Sequence, residues 1–357
     1  MDTNLEKLRE INPILAKLVD GNSLTTKEAK HAFTNTFLYD LDGIHSTALM
    51  VALHTKGETS DELLGLCQTY EKLATKLDPH IDTNKAIDLS GTGGGSFKTI
   101  NVSTAASFVV AAAGYIVPKA SYFGITSPTG SADIFAAFGI DISKFNKELI
   151  EKTLEQVGIC PFYTPYFSPK LANRAKVSRK IFGELQLRVR TPFHLATNTF
   201  SPINIKHRLY GCYSEKYLEV LATLFSKLGF KRSLTVYAQI GMPEMSNVGK
   251  TIIVEQNGKK IKRYEVTPKD LGVKEAKAED IKTGGKEQNI LDFKRILKGE
   301  ETGPKADLVA VNAGAAFYAL EAVGTIKEGT SKAKEILSNG KAYSKLKELK
   351  RETVQVT

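Results

Sequence analysis

Four glycines fall within five residues at Gly91-Thr92-Gly93-Gly94-Gly95, a loop with almost no side chain between a ligand and the backbone. The run Ala86-Ile87-Asp88-Leu89 before it reads as a buried strand. After it comes a polar turn carrying Thr99, Asn101, Ser103 and Thr104, which runs into a helical stretch from Ala105 to Ala113. Strand, bare loop, polar turn and helix start together make an anion site. Loop N–H groups and the helix dipole favour phosphate, and the hydroxyls can bond phosphate or sugar oxygens. Lys119, after the helix, adds a cation. The plainer alternative is a tight turn whose glycines serve packing alone; the hydroxyls and the lysine weigh against it. No Gly-Lys-Ser/Thr closes the run, so it is not a Walker loop, and Ser96 stands where a dinucleotide fingerprint needs its third glycine. The expected ligand is a sugar phosphate or pyrophosphate.

The elements that must position this loop follow from hydrophobic period. Residues 1–80 read as four helices. Leu5, Leu8, Ile11, Ile14, Leu15 and Leu18 form one apolar stripe. Thr25 or Thr26 can cap the next helix, Asp42-Gly43 breaks before the segment His45 to His54, and Thr59 to Glu62 starts another. From about residue 85 strands alternate with helices, the pattern of an α/β core. Strands are expected at Ala86–Leu89, Tyr115–Val117, Phe162-Tyr163, Leu209–Tyr213 and Leu234–Tyr237, and helices at Ser131–Phe138, Phe145–Val157 and Glu215–Leu228. Residues 169–190 read as a basic helical segment. Thr251–Val254 and Ile261–Val266 form a hairpin through Asn257-Gly258. Lys274 to Lys286 reads as a surface loop, and two closing helices follow, including the small-residue run Val309 to Val323.

Composition bounds the function. The 357 residues suit two packed subdomains, and 42% hydrophobic content is ordinary for a globular chain. No long apolar run indicates a membrane span, and the first residues lack an apolar signal core. Three widely spaced cysteines, Cys67, Cys160 and Cys212, fit a reducing cytoplasm and no metal cluster. A net charge of +10 fits an anionic substrate or nucleic acid. Much of the excess lies in Lys341 to Arg351, which reads as a terminal helix with a solvated face. There is no zinc-finger spacing and no RNP-like aromatic run to support a nucleic-acid role.

The motifs GTGG at 91–94, N-x-S-T at 101–104, AAAG at 111–114, Lys119, GSAD at 130–133 and A-x-G at 137–139 resemble the anthranilate phosphoribosyltransferase family. The likeness also takes in residues 52–59, Arg190-Thr191 and the YGCYS strand. It implies a small N-terminal helical domain (1–80, joined in space by part of 169–200) packed on a larger α/β domain (81–357) with a central, mostly parallel sheet. It further implies a cytoplasmic homodimer, an active site at the hinge, and phosphoribosyl pyrophosphate (PRPP) with magnesium on the α/β side. Carried over, Gly91, Thr92, Gly93 and Gly94 would wrap pyrophosphate, and Thr99, Asn101, Ser103 and Thr104 would bind phosphate, with Ser103 also near magnesium. Lys119 would pair with phosphate, Ser131 would lie close to the sugar diphosphate, and Glu244 would touch the metal.

Departures from the family concentrate on the acceptor side. Gly95 replaces an aspartate. Lys119-Ala120-Ser121-Tyr122-Phe123 replaces K-H-G-N-R, and Phe167-Ser168-Pro169 replaces Y-H-P. Phe193 to Pro202 loses a Gly-Pro that abuts the aromatic acceptor, and Pro243-Glu244 replaces an acidic pair, which thins the magnesium site. Tyr122 and Phe123 would offer stacking faces to a flat ring. Arg179 (or Arg174) would meet an acceptor carboxylate, and Arg190 and His194 would also lie on the acceptor side. Three readings follow: a PRPP-dependent pentosyltransferase with another aromatic or nitrogenous acceptor, an anthranilate enzyme of tryptophan biosynthesis, or a non-catalytic binder of nucleic acid or another anion.

Overall fold

The computed structural model describes residues 3–123, 129–163, 180, 184 and 190–354. The chain divides into two compact units, Met1–Lys76 with Thr164–Pro202, and Leu77–Tyr163 with Ile203–Thr357.

The first unit is helical: α1 (Thr3–Arg9), α2 (Asn12–Val19), α3 (Thr26–Tyr39), α4 (Ile44–Lys56) and α5 (Ser60–Leu73), with a short helix Pro192–Ala196. The stripe from Leu5 to Leu18 is split in two, giving five helices before residue 80 where the apolar period predicts four. Pro13 stands in the first turn of α2. It has no N–H to continue the α1 ladder, and its ring would meet the carbonyl of Arg9. Both α3 and α5 open with capping boxes. Thr25 N–H donates to Glu28 at 2.7 Å and Thr59 N–H to Glu62 at 2.8 Å, so each helix start is fixed by its own sequence. The core is aromatic. The Phe37 ring lies 5.5 Å from Tyr70, 5.7 Å from Phe193 and 5.9 Å from Phe33.

The second unit is built on a five-stranded sheet of order β1-β4-β5-β6-β7. Strands β1 (Ile87–Gly91), β4 (His207–Gly211) and β5 (Arg232–Ala238) run parallel. Strands β6 (Thr251–Asn257) and β7 (Lys260–Val266) close it as an antiparallel hairpin turned at Gly258, whose φ is +58°. A separate parallel pair, β2 (Val117–Ala120) and β3 (Ile159–Phe162), is tied to the start of β1 by a bridge between Ala86 and Ile116. Within the five-stranded sheet two of the four pairings are parallel and two antiparallel, so the central sheet is mixed where a mostly parallel one is expected, because the β6–β7 hairpin adds on antiparallel to β5.

The helices are α6 (Val102–Ala112), α7 (Ser131–Ala137), α8 (Lys147–Val157), α9 (Leu218–Lys227), α10 (Ala278–Ile281), α11 (Lys286–Leu297), α12 (Pro304–Ala319), α13 (Ile326–Ser338) and α14 (Lys341–Val354). Two expectations fail here. The chain closes with four helices after residue 285, because Gly299 and Gly340 take the left-handed φ that ends a helix. The expected loop at 274–286 contains α10 and is pinned by Ile281, which is fully buried. The basic segment expected at 169–190 lies outside the described residues except for 180, 184 and 190.

A buried ion pair ties β1 to β4. Arg208 Nε lies 2.9 Å from Asp88 Oδ2, both side chains are buried, and the guanidinium stacks 4.4 Å from the Phe230 ring and 4.8 Å from Phe225. Removing either partner would strand a buried charge, which typically costs about 3–5 kcal/mol. The pair thereby anchors the strand that delivers the glycine loop.

Candidate active site

The loop leaves β1 at Gly91 and turns through Gly93 and Gly94, with φ of +59° and +71°. Those angles strain any residue with a side chain, so the backbone here must stay bare. Gly91 packs against β4: a Cβ there would stand 2.7 Å from the Gly211 carbonyl. Gly95 packs against residues 241–243, where a Cβ would stand 2.5 Å from Pro243 Cδ. Thr92 locks the turn. Its N–H donates to Gly211 O at 2.8 Å, and its hydroxyl accepts from Tyr213 N at 2.8 Å and donates to Gly93 O at 3.0 Å. Within the glycine run the exposed residue is thus Gly93, with Gly94 half-buried beside it.

Lys119 is the central side chain. It lies on β2, is 3% exposed, and its ammonium donates to Leu89 O on β1 and to Ser103 Oγ on α6 at 3.2 Å. Burial pushes it down to about 8, against the pull of the Asp88 carboxylate. Asp88 was not singled out in the sequence, since an acidic residue inside an apolar strand carries no local signal of its partner. Asn101 is the N-cap of α6 and makes no side-chain cap bond. The first N–H groups of a helix lack intrahelical acceptors, so this end stays available to an anion.

Other expected contacts are engaged within the protein. The Thr99 hydroxyl donates to Ile281 O. Asn101 N–H donates to Asn289 Oδ1 at 3.3 Å, and Asn289 Nδ2 donates back to Asn101 Oδ1 at 2.9 Å. Thr283 N–H donates to Lys98 O at 3.4 Å, so residues 281–289 strap the turn 98–101 in place. Thr104 is buried in α6. Ser131 opens α7 and its hydroxyl accepts from Tyr122 N at 3.2 Å. Asn289 and the strap were invisible in the sequence: the Asn101–Asn289 pair spans 188 residues.

Of the residues expected to face an acceptor, Tyr122 and Phe123 both pack edge-on to Tyr163, at 6.3 and 6.0 Å, and Phe123 is 48% exposed. Tyr163 completes an aromatic trio that strand reading alone did not single out. Arg190 and His194 belong to the helical unit, where Arg190 is half-buried. His194 Nδ1 accepts from Thr191 N at 3.1 Å, a cap on the short helix that leaves the proton of a neutral ring on Nε2. Arg174, Arg179 and residues 167–169 lie outside the described residues.

The metal expectation rests on Ser103 and Glu244. Glu244 is half-buried, and burial pushes its carboxyl up to about 7, with Lys98 opposing. Ser103 Oγ already accepts from the Lys119 ammonium, a place that disfavours a second cation. Among the described residues no three His, Cys, Asp or Glu side chains gather as a metal cage. One carboxylate fits magnesium that arrives on a diphosphate and keeps its waters; it does not fit an ion caged by protein.

Two family descriptions match the chain: a glycosyl transferase helical bundle domain over residues 12–74 and a glycosyl transferase a/b domain over 83–343. The anthranilate phosphoribosyltransferase of Petrotoga mobilis is 33% identical over 338 residues, covering 95% of this chain and 95% of that protein. The enzyme of that name from Methanococcoides burtonii is 35% identical over 335 residues, covering 94% and 92%. Among solved structures, anthranilate phosphoribosyltransferase from Thermus thermophilus superposes with a TM-score of 0.85 at 32% identity, over 95% of this chain and 99% of that one. The Saccharomyces cerevisiae enzyme in complex with PRPP and Mg shares the fold at a TM-score of 0.84 and 20% identity, over 97% and 98%. This chain belongs to the anthranilate phosphoribosyltransferase family of glycosyl transferases.

Proposed function

We propose that the chain is a magnesium-assisted phosphoribosyltransferase that moves the phosphoribosyl group of PRPP to a nitrogen of an aromatic acceptor other than anthranilate. The observation that carries this reading is the Lys119 ammonium, held between Leu89 O and Ser103 Oγ. It joins the two elements that flank the glycine loop, so a diphosphate there meets positive charge without first ordering a flexible side chain. The loop backbone, the start of α6 and Lys119 would bind the diphosphate, and Ser131 would lie by the sugar.

In the reaction the C1–O bond to pyrophosphate breaks and its electron pair leaves on oxygen. The acceptor nitrogen forms the new C1–N bond and sheds a proton. Fixed N–H dipoles aimed at the departing diphosphate lower the barrier as its charge grows. Glu244 would be the protein ligand of a magnesium ion arriving on the diphosphate, and that ion would neutralise part of the leaving charge.

Tyr122, Phe123 and Tyr163 would supply ring faces for a flat acceptor. A second reading, the anthranilate reaction of tryptophan biosynthesis, is supported by the names of relatives at 33% and 35% identity. Three buried free cysteines support a reducing cytoplasm. A homodimer is supported by apolar side chains left exposed among the described residues, with Leu41, Ile44 and Val51 exposed by 66%, 67% and 44% along and before α4. Turnover of PRPP against anthranilate and a panel of aromatic amines and nucleobases separates the two readings.

A further inference from the structure

A groove of about 460 Å³ lies where the end of α7 meets α11 and α14, lined by Phe138, Tyr343, Leu346 and the ammonium arms of Lys294, Lys347 and Lys350. None of its three lysines makes an ion pair among the described residues. The nearby acids of α14 are engaged elsewhere: Glu348 pairs with Lys345 at 2.7 Å and Glu352 with Lys152 at 2.6 Å. Lys347 Nζ lies 5.6 Å from the Tyr343 ring centroid, and Nζ of Lys298, the C-cap of α11, lies 5.5 Å from it. Gly139, at φ +80°, leaves room for Lys350, whose Nζ is 3.4 Å from where a Cβ would stand. The groove therefore has an apolar, partly aromatic floor and a cationic rim.

We propose that this groove is a second ligand site, for a small phosphorylated molecule that carries a flat ring, of the nucleotide class. The volume suits one such molecule, within the roughly 300–1,000 Å³ of small-molecule sites. The ring would lie on Phe138 and Tyr343, and the phosphates would meet lysines that have no ion pair to give up among the described residues. A nucleic-acid strand suits it less, because the acids of α14 interrupt the positive face beyond the groove. The site is separate from the glycine loop and does not rest on the phosphoribosyltransferase reading.

The test is calorimetry with ADP, inorganic pyrophosphate and a single-stranded oligonucleotide, run on Lys119→Met so that the glycine-loop site contributes least. The expected result is saturable ADP binding, weakened at least tenfold by adding Lys347→Ala with Lys350→Ala and also weakened by Tyr343→Ala. These partly exposed positions leave folding intact, which thermal melts check. Pyrophosphate binding as tightly as ADP would overturn the ring contact. Oligonucleotide binding with no ADP binding would overturn the ligand class. No ADP binding, or ADP binding indifferent to the two lysine changes, would overturn the site.

Discussion

The ring Cδ of Pro243 lies 2.5 Å from where a Cβ on Gly95 would stand, and the Gly241 carbonyl oxygen lies 2.6 Å from the same point. Gly95 and Pro243, the two positions where the family resemblance leads one to expect acidic residues, therefore pack against each other. A side chain at 95 has no room while Pro243 is present. Gly95→Ala should cost about 1–3 kcal/mol of stability through overpacking. Adding Pro243→Ala should return part of that loss, because the ring is gone while the Gly241 carbonyl stays. Urea unfolding of the double-mutant cycle measures it; simple additivity would mean that the residues do not meet.

Asn289 holds the turn before α6 through two hydrogen bonds with Asn101. Asn289→Ala should lower stability by about 1–2 kcal/mol, the range for lost hydrogen bonds in part-buried sites. It should also weaken PRPP binding several-fold, because the Asn101 side chain then keeps, among the described residues, only the 3.4 Å bond from its Nδ2 to Thr129 O at the phosphate end of the helix. A melt that drops while PRPP affinity stays unchanged would confine the strap to stability.

Two groups set opposite pH limbs. Glu244, raised to about 7, gains charge as pH rises, so the magnesium contribution to PRPP binding should grow through pH 7. Lys119, lowered to about 8, loses its charge as pH rises further, so PRPP affinity should fall above pH 8. The stability sign also follows. Between about 8 and its ordinary 10.5 the unfolded chain holds the proton that folded Lys119 has lost, so this residue's penalty shrinks as pH rises. Glu244 behaves oppositely: between its ordinary 4.5 and about 7 the folded state holds the extra proton, and stability from this group falls as pH rises. Calorimetry across pH should give a bell, and Glu244→Gln should remove only its acid side.

The exposed face at Ile44 and Val51 should close a dimer. Ile44→Glu with Val51→Glu should shift the light-scattering mass from dimer to monomer with the melting temperature of the isolated fold retained. A wild-type chain already monomeric would retire that part of the proposal.

What the sequence made legible was local. The bare loop after a buried strand, the caps at Thr25 (of the two candidates Thr25 and Thr26) and Thr59, and the Asn257-Gly258 hairpin each lie within a few residues, where spacing carries the physics. What stayed hidden was long-range. Asp88 supports Lys119, Asn289 grips Asn101, and Pro243 fills the space beside Gly95, and none of these pairs shares a window that a periodicity can span. The split of α1 from α2 was legible at Pro13, but the apolar stripe across it masked the break.

The central claim is that Lys119 and the glycine loop bind the diphosphate of PRPP. The most direct test is calorimetric titration of PRPP, with and without magnesium, into the wild-type protein and Lys119→Met, which keeps the length of the buried chain. The account predicts magnesium-enhanced binding to the wild type and a loss of at least tenfold in Lys119→Met with the fold intact by circular dichroism. PRPP binding unchanged in that variant, or no PRPP binding by the wild type, would contradict it.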